Sequence, residues 1–216
     1  MTSIKLTHRF PLKALRTTAA AFLMAFIVAC LSPATAETTA QSPVAVVDGL
    51  HKVLLETMQQ ADQLGFAGRV EKLTPVLNDS FDFGTIARIV AGRGWKEATQ
   101  EQQEKFVDVF KRLSIATYAS NFSGYSGESF KTLSDNQNKR AHTVKTAIVK
   151  RDGEKISLNY MLRENNGQWR IINVVAQGVS DLSLKRAEYS AVIKSEGFDS
   201  LTKKLDKKVQ EMRSGS

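Results

Sequence analysis

The sequence predicts an α+β fold, with helices at both ends of the chain and an antiparallel meander between them. Apolar residues recur at helical spacing before Gly124 and after Gly178, and the period changes to two in between. Asp152-Gly153 and Asn166-Gly167 fall where tight hairpin turns would join the strands. Helices, a meander and helices again make an α+β architecture rather than an alternating α/β one.

The first 36 residues are set apart from that fold. They contain no Asp or Glu, carry Lys5, Arg9, Lys13 and Arg16, and run apolar from Ala19 to Ala29. This is the pattern of a secretory signal peptide, and Ala34-Thr35-Ala36 before Glu37 fits small-x-small cleavage. The apolar run falls short of the roughly 20 residues that span a bilayer. A rival reading takes Ile27-Val28-Ala29-Cys30 as a lipoprotein box with Cys30 acylated, although Val28 fits the middle of such a box poorly. Cleavage after Ala36 leaves residues 37–216, a single domain without cysteine, whose stability must come from its core rather than from disulfides. Lys and Arg number 30 against 22 Asp and Glu, and removing the four leader cations leaves a net charge of +4. That mild charge on an exported chain argues against nucleic acid as a partner.

Pro43 is placed to begin a helix, and Val44, Val47, His51, Leu54, Leu55 and Met58 make residues 43–63 amphipathic. Residues 66–77 read as a second helix despite Pro75, and residues 81–90 as a third, ended by Gly92 and Gly94. Thr99 and Gln102 form a capping box ahead of a helix. Its wide apolar face is Phe106, Val109, Phe110, Leu113 and Ala116 or Thr117, with Val107 and Tyr118 at the margins. Beyond Gly124 and Gly127, residues 129–133, 140–150 and 155–163 are strands. The last strand, Trp-Arg-Ile-Ile-Asn-Val-Val-Ala from Trp169, alternates poorly, so both of its faces are largely apolar. Ser180 caps a helix to about Lys194, Gly197 interrupts, and Phe198, Leu201, Leu205, Val209 and Met212 stripe the final helix. Lys203, Lys204, Lys207 and Lys208 occupy its opposite side, as a solvated face or as a docking patch for anionic lipid or an acidic partner.

The strings that resemble catalytic motifs do not survive their context. Asp82-Phe83-Gly84 spells a kinase metal-binding triplet without the rest of a kinase, and Gly124-Tyr125-Ser126-Gly127-Glu128 has Glu where a nucleophile elbow needs its second Gly. Beyond the leader the histidines are His51 and His142. His51 lies on an apolar stripe as a core or cavity-edge residue making one hydrogen bond, and His142 reads as a solvated strand residue. Two histidines without cysteine or a tight carboxylate cluster do not make a metal site. No enzyme, metal or cofactor reading gains support from these residues.

Gly167-Gln-Trp-Arg-Ile-Ile-Asn-Val-Val-Ala-Gln-Gly-Val-Ser180, with Glu196-Gly-Phe-Asp-Ser-Leu201, resembles the closing motif of the MlaC or toluene-tolerance family of periplasmic lipid carriers. Ile86-Ala-Arg-Ile-Val-Ala-Gly-Arg-Gly-Trp95, followed by Ala98-Thr99 and Phe106, resembles the family's V-L-G-x-x-W/Y segment and its capped helix. The likeness runs from about residue 44 to 212. Ala116-Thr-Tyr-Ala119, residues 125–130 and residues 180–193 look most like its hopanoid-associated branch, HpnM. Asn173 departs from the family's usual Asp, and Gly94 stands in a position that is often aromatic.

The resemblance implies an NTF2-like cone of helices around a curved antiparallel sheet, with an apolar cavity that holds lipid tails. The second apolar face of the last strand would then help line that cavity. It also implies a carrier of phospholipid or hopanoid between inner and outer membranes, without cofactor, touching membranes transiently. Its partners would be an inner-membrane ABC transporter complex and an outer-membrane lipoprotein complex. Facing positions nominate Ile89, Trp95, Phe110, Leu113, Tyr118, Tyr160, Ile172 and Val174 as tail contacts. The alternatives are an enzyme of the same cone-shaped fold, revived by His51 and a carboxylate both pointing inward, and a structural protein without a ligand cavity.

Overall fold

The computed structural model describes residues 41–138 and 141–215. The expected leader, its cleavage site and Cys30 lie outside them. Helix α1 spans Pro43–Gln59, with Pro43 at its start and the Ser42 side chain accepting from the Ala45 N–H. It buries Val46, Val47, Leu50, His51, Leu54 and Met58. The expected extension to residue 63 does not form, because the chain turns at Gln60 into α2, Ala61–Ser80. Within α2, Gly65 takes φ 57° and ψ −175°, a conformation close to barred for residues with a Cβ, so the helix proper restarts at Phe66 as expected. Pro75 is tolerated because it faces solvent, as does Glu71, whose carbonyl the missing N–H leaves free.

Helix α3, Phe83–Ala91, starts two residues later than expected. Phe81 is instead extended and bridges to Ile171, the Asp82 N–H donates to the Ile171 carbonyl at 3.0 Å, and the Asp82 side chain caps the helix by accepting from Thr85 N–H. A short unforeseen helix α4, Gly94–Glu97, follows. Its glycine has a packing reason: a Cβ on Gly94 would lie 2.5 Å from Cγ2 of Ile193. Helix α5, Gln100–Asn121, opens with the full Thr99–Gln102 capping box. It buries Ala116 rather than Thr117, and Ile115 and Ala119 widen its apolar face.

Strands β1 (Ser129–Asn138), β2 (Ala141–Val149), β3 (Lys155–Asn165), β4 (Gln168–Ala176) and β5 (Val179–Ser180) form one antiparallel sheet in sequence order. β1 outruns its expected end at residue 133 because the polar run Asp135–Asn138 still pairs with β2, past an irregularity at the exposed Leu133. The poor alternation of β4 has a specific cause. Its register with β3 shifts between Leu162, opposite Ile171, and Met161, opposite Asn173, so Ile172 is an extra residue. A bulge of this kind suspends alternation, and consecutive Ile171 and Ile172 are both buried. The free edge of β4 beside the bulge is where Phe81 and Asp82 attach.

Helix α6, Asp181–Glu196, is capped by Ser180, and α7 spans Phe198–Ser214. Asn173 has a structural job here: its Oδ1 accepts from Ser180 Oγ at 3.1 Å and from the Leu182 N–H at 3.3 Å, tying β4 to the start of α6. Phe198, Leu201, Leu205 and Val209 of α7 join Phe106, Val109, Phe110 and Leu113 of α5 in the core. The four lysines of α7 are exposed, with Lys204 paired to Glu196 and Lys207 to Glu211.

Candidate functional site

The interior between sheet and helices is unusually aromatic and continuous. Tyr160 on β3 donates to or accepts from His51 Nε2 at 3.0 Å, and the His51 ring stacks on Phe130 of β1 with centroids 4.2 Å apart. Phe130 neighbours Phe122, Phe122 stacks on Tyr118, Tyr118 meets Phe81 edge-on, and Phe81 stacks on Phe83. Phe83 in turn meets Phe110, which joins Phe106 and Tyr189. The path thus runs from the middle of α1 and the sheet, past the C-terminal end of α5, to α6. Offset and edge-on ring pairs like these add attraction beyond the area they bury.

The two histidines sit in different surroundings. His51 is 5% exposed, and removal from water holds its pKa down at about 4, against a smaller upward pull from Asp48. The imidazole is therefore neutral at neutral pH. Asp48 itself is exposed and accepts from Thr132 Oγ1 at 2.8 Å, so the inward partner of His51 is a tyrosine and not a carboxylate. Burial raises the pKa of the Tyr118, Tyr160 and Tyr189 hydroxyls, keeping all three protonated. His142 is not the solvated residue its flanking sequence suggests. It lies half-buried against Trp169, with Nδ1 2.8 Å from Asp135 Oδ1, because β1 extends far enough to bring that carboxylate alongside.

The eight nominated residues divide. Phe110, Leu113 and Tyr160 belong to the buried core, with Tyr118 and Val174 half-buried against it, and Val174 stands opposite Tyr160 across the β3–β4 ladder. Trp95 packs on the core from outside and lines an open groove of about 880 Å³, together with Arg88, Lys111, Arg163, Glu104 and Asp108. Ile89 is half-buried on α3, and Ile172 is the buried bulge residue of β4; neither belongs to the connected core.

Sequence reasoning passed over four half-buried residues next to this set, namely Phe122, Phe130, Ile148 and Leu182. Phe122 follows Tyr118 by one helical turn, which is a legible signal. Phe130 and Ile148 are cross-strand partners, a relation that needs the register. Among the described residues, no group of three His, Cys, Asp or Glu is placed to hold a metal ion, and no helix is long and apolar enough to cross a membrane.

A curved antiparallel sheet packed by helices is also the fold of a solved phospholipid-binding protein from Ralstonia solanacearum, described in complex with a phospholipid. The likeness has a TM-score of 0.68 at 23% identity and covers 81% of this chain and 98% of that one. The family model described as MlaC protein matches residues 49–207, and the chain belongs to that family. It is 30% identical over 124 residues to the intermembrane phospholipid transport system binding protein MlaC of Haemophilus influenzae, over 54% of this chain and 56% of that protein. It is 25% identical over 139 residues to a toluene tolerance protein of Pseudomonas putida, over 63% of this chain and 64% of that one. The matched stretches thus span under two thirds of either relative.

Proposed function

We propose that the protein is a periplasmic lipid carrier that holds the tails of a phospholipid between its sheet and helices and moves it between the inner and outer membranes. The observation that carries the reading is the set of half-buried apolar residues packed against the aromatic core, of which we take Tyr118, Phe122, Phe130, Ile148, Val174 and Leu182 as the rim of the site, in a chain of the MlaC family. Tails entering at this rim would spread the α5 end away from β1 and β4 and come to lie against Tyr160, Leu113 and Phe110. Ile89, Trp95 and Ile172 remain candidates for tails that reach the α3 side.

The physical need for such a site is plain. Exposing an acyl chain of about 16 carbons to water costs roughly 0.8 kcal/mol per methylene, or ~12 kcal/mol, so unassisted desorption is very slow. A shell as apolar as the bilayer removes that cost while binding lipid little more tightly than the membrane does. Direction is therefore supplied by partners, for which we propose an inner-membrane ABC transporter complex and an outer-membrane lipoprotein complex. The carrier itself needs no catalytic group, and the Tyr160 partner of His51 favours a carrier over an enzyme of the same shape. Residues 125–130 and 180–193 support a place in the HpnM branch, with hopanoid as a competing cargo.

The test is mass spectrometry of lipid that copurifies with the protein from its own host; a protein recovered free of any lipid would oppose the reading. The export proposal expects Glu37 as the first residue of the periplasmic protein, followed by residues 37–216 as one lipid-binding domain. An acylated Cys30 at that terminus would tether the protein and refute a free shuttle.

A further inference from the structure

The open groove that Trp95 lines lies away from the rim. Its residues on α5 run from Gln100 to Lys111, whereas the rim takes Tyr118 and Phe122 from the far end of that helix. On β3 it takes Arg163 and Asn165, beyond Tyr160, whose cross-strand partner Val174 belongs to the rim. Gln103 Nε2 donates to the Trp95 carbonyl at 2.8 Å and to the Ala98 carbonyl at 3.3 Å, which holds α4 against α5. Trp95 and Val107, both half-buried against the core, supply an apolar strip to the lining.

The charges along this groove are paired unevenly. Asp108 is engaged by Arg112 at 2.8 Å, and Arg112 also holds Asp206 of α7 at 2.9 Å. Glu104 accepts from Gln100 Nε2 at 2.8 Å. Among the described residues the side chains of Arg88 and Lys111 make no hydrogen bond or ion pair, and that of Arg163 makes one, 3.3 Å to the neutral Thr85 hydroxyl. Arg163 also stands directly opposite Arg170 across the β3–β4 ladder, a like-charge pairing that costs stability when no anion lies near. We propose that this groove docks an acidic segment of a partner protein, whose carboxylates meet Arg88, Lys111 and Arg163 while its apolar side chains cover Trp95 and Val107. A lone small anion would leave the apolar strip uncovered, and a flat bilayer surface fits protruding cations better than the half-buried Lys111 and Arg163 of a concave groove. A partner held here leaves the rim free, so docking does not depend on lipid loading. The proposal stands on the groove and not on the carrier reading, and it gives Trp95 a role other than tail contact.

The probe is a synthetic peptide alternating Glu and Leu, titrated into the native protein by calorimetry and into Trp169→Phe, which leaves Trp95 as the one tryptophan, by fluorescence. The peptide is expected to bind, to shift Trp95 emission to the blue, and to weaken with added salt. Arg88→Glu with Lys111→Glu should weaken it about tenfold or more, with the thermal unfolding midpoint and bound lipid unchanged. Lys203→Glu with Lys208→Glu, the same change of net charge on α7, should leave it as it was. Binding that neither calorimetry nor Trp95 detects overturns the proposal, as does equal binding of the same peptide with Lys in place of Glu. Equal weakening by the α7 pair overturns the assignment to the groove. A Trp95 shift produced by phosphatidylglycerol vesicles or by inorganic phosphate, but not by the peptide, overturns the choice of a protein partner. Loss of bound lipid from the folded groove variant makes the groove part of the lipid site and overturns its independence.

Discussion

Acidification should destabilise this fold through His51 by an amount that can be set in advance. The ring is buried, one of its nitrogens is engaged by Tyr160, and its pKa is held near 4, whereas an unfolded chain returns it to 6.5. Above pH 6.5 the imidazole is neutral in both states and the fold keeps its full stability. Between 6.5 and about 4 only the unfolded chain takes up the proton, so each step down in pH favours unfolding. Below about 4 both states are protonated and the loss levels off. At about 1.4 kcal/mol per pH unit, the interval caps the loss at about 3 kcal/mol. The assay is urea unfolding at a series of pH values for the native protein and for His51→Gln, whose amide still reaches Tyr160 but does not titrate. Carboxylates common to both proteins cancel in the difference. The native curve should fall away from the variant's by ~2–3 kcal/mol between pH 7 and 4. Parallel curves would mean that His51 holds its proton equally well folded and unfolded, and the desolvation argument would fail.

Three further outcomes follow from particular contacts. Gly94→Ala should cost about 1–3 kcal/mol in chemical unfolding, because its Cβ would meet the β-branched Ile193; adding Ile193→Ala should recover part of that loss, and strict additivity would refute the contact. Leu113→Glu places a carboxylate at a 5% exposed site and should cost several kcal/mol, whereas Val174→Asp at the half-buried rim should keep a native circular dichroism spectrum and lose bound lipid. A folded Val174→Asp that retains its lipid would remove that residue from the site. Asn173→Asp puts a charge on the atom that meets the start of α6 and should raise stability by ~0.5 kcal/mol in low salt, an effect that salt should screen; the repulsion from Asp181 sets the limit.

The helices and most of the strands were legible because their signals are local. The Thr99–Gln102 capping box, Ser180 before α6 and Gly197 act on their immediate neighbours, and each falls where the sequence places it. The errors at β1 and at Phe81 come from non-local pairing. Asp135–Asn138 has poor strand propensity, yet β2 supplies partners, so β1 continues. Phe81 has the look of a helical residue but is drawn out of α3 by Ile171, ninety residues on. No window of sequence contains both halves of such a pair.

The candidate site divides along the same line, and β4 shows why. An apolar count on both faces of that strand is compatible with a cavity wall, with core on two sides, and with a bulge. The structure contains the bulge, and it uses Ile171 to dock the segment that launches α3. That removes Ile172 from the simple alternation that nominated it, while Val174, two residues beyond, returns to the face of Tyr160. The polar members of the site were hidden for a different reason. His51 and Tyr160 are 109 residues apart, and each alone reads as an ordinary core residue with a polar tip. Only the fold brings them within 3.0 Å, where the neutral ring and the hydroxyl satisfy one another inside an otherwise apolar interior.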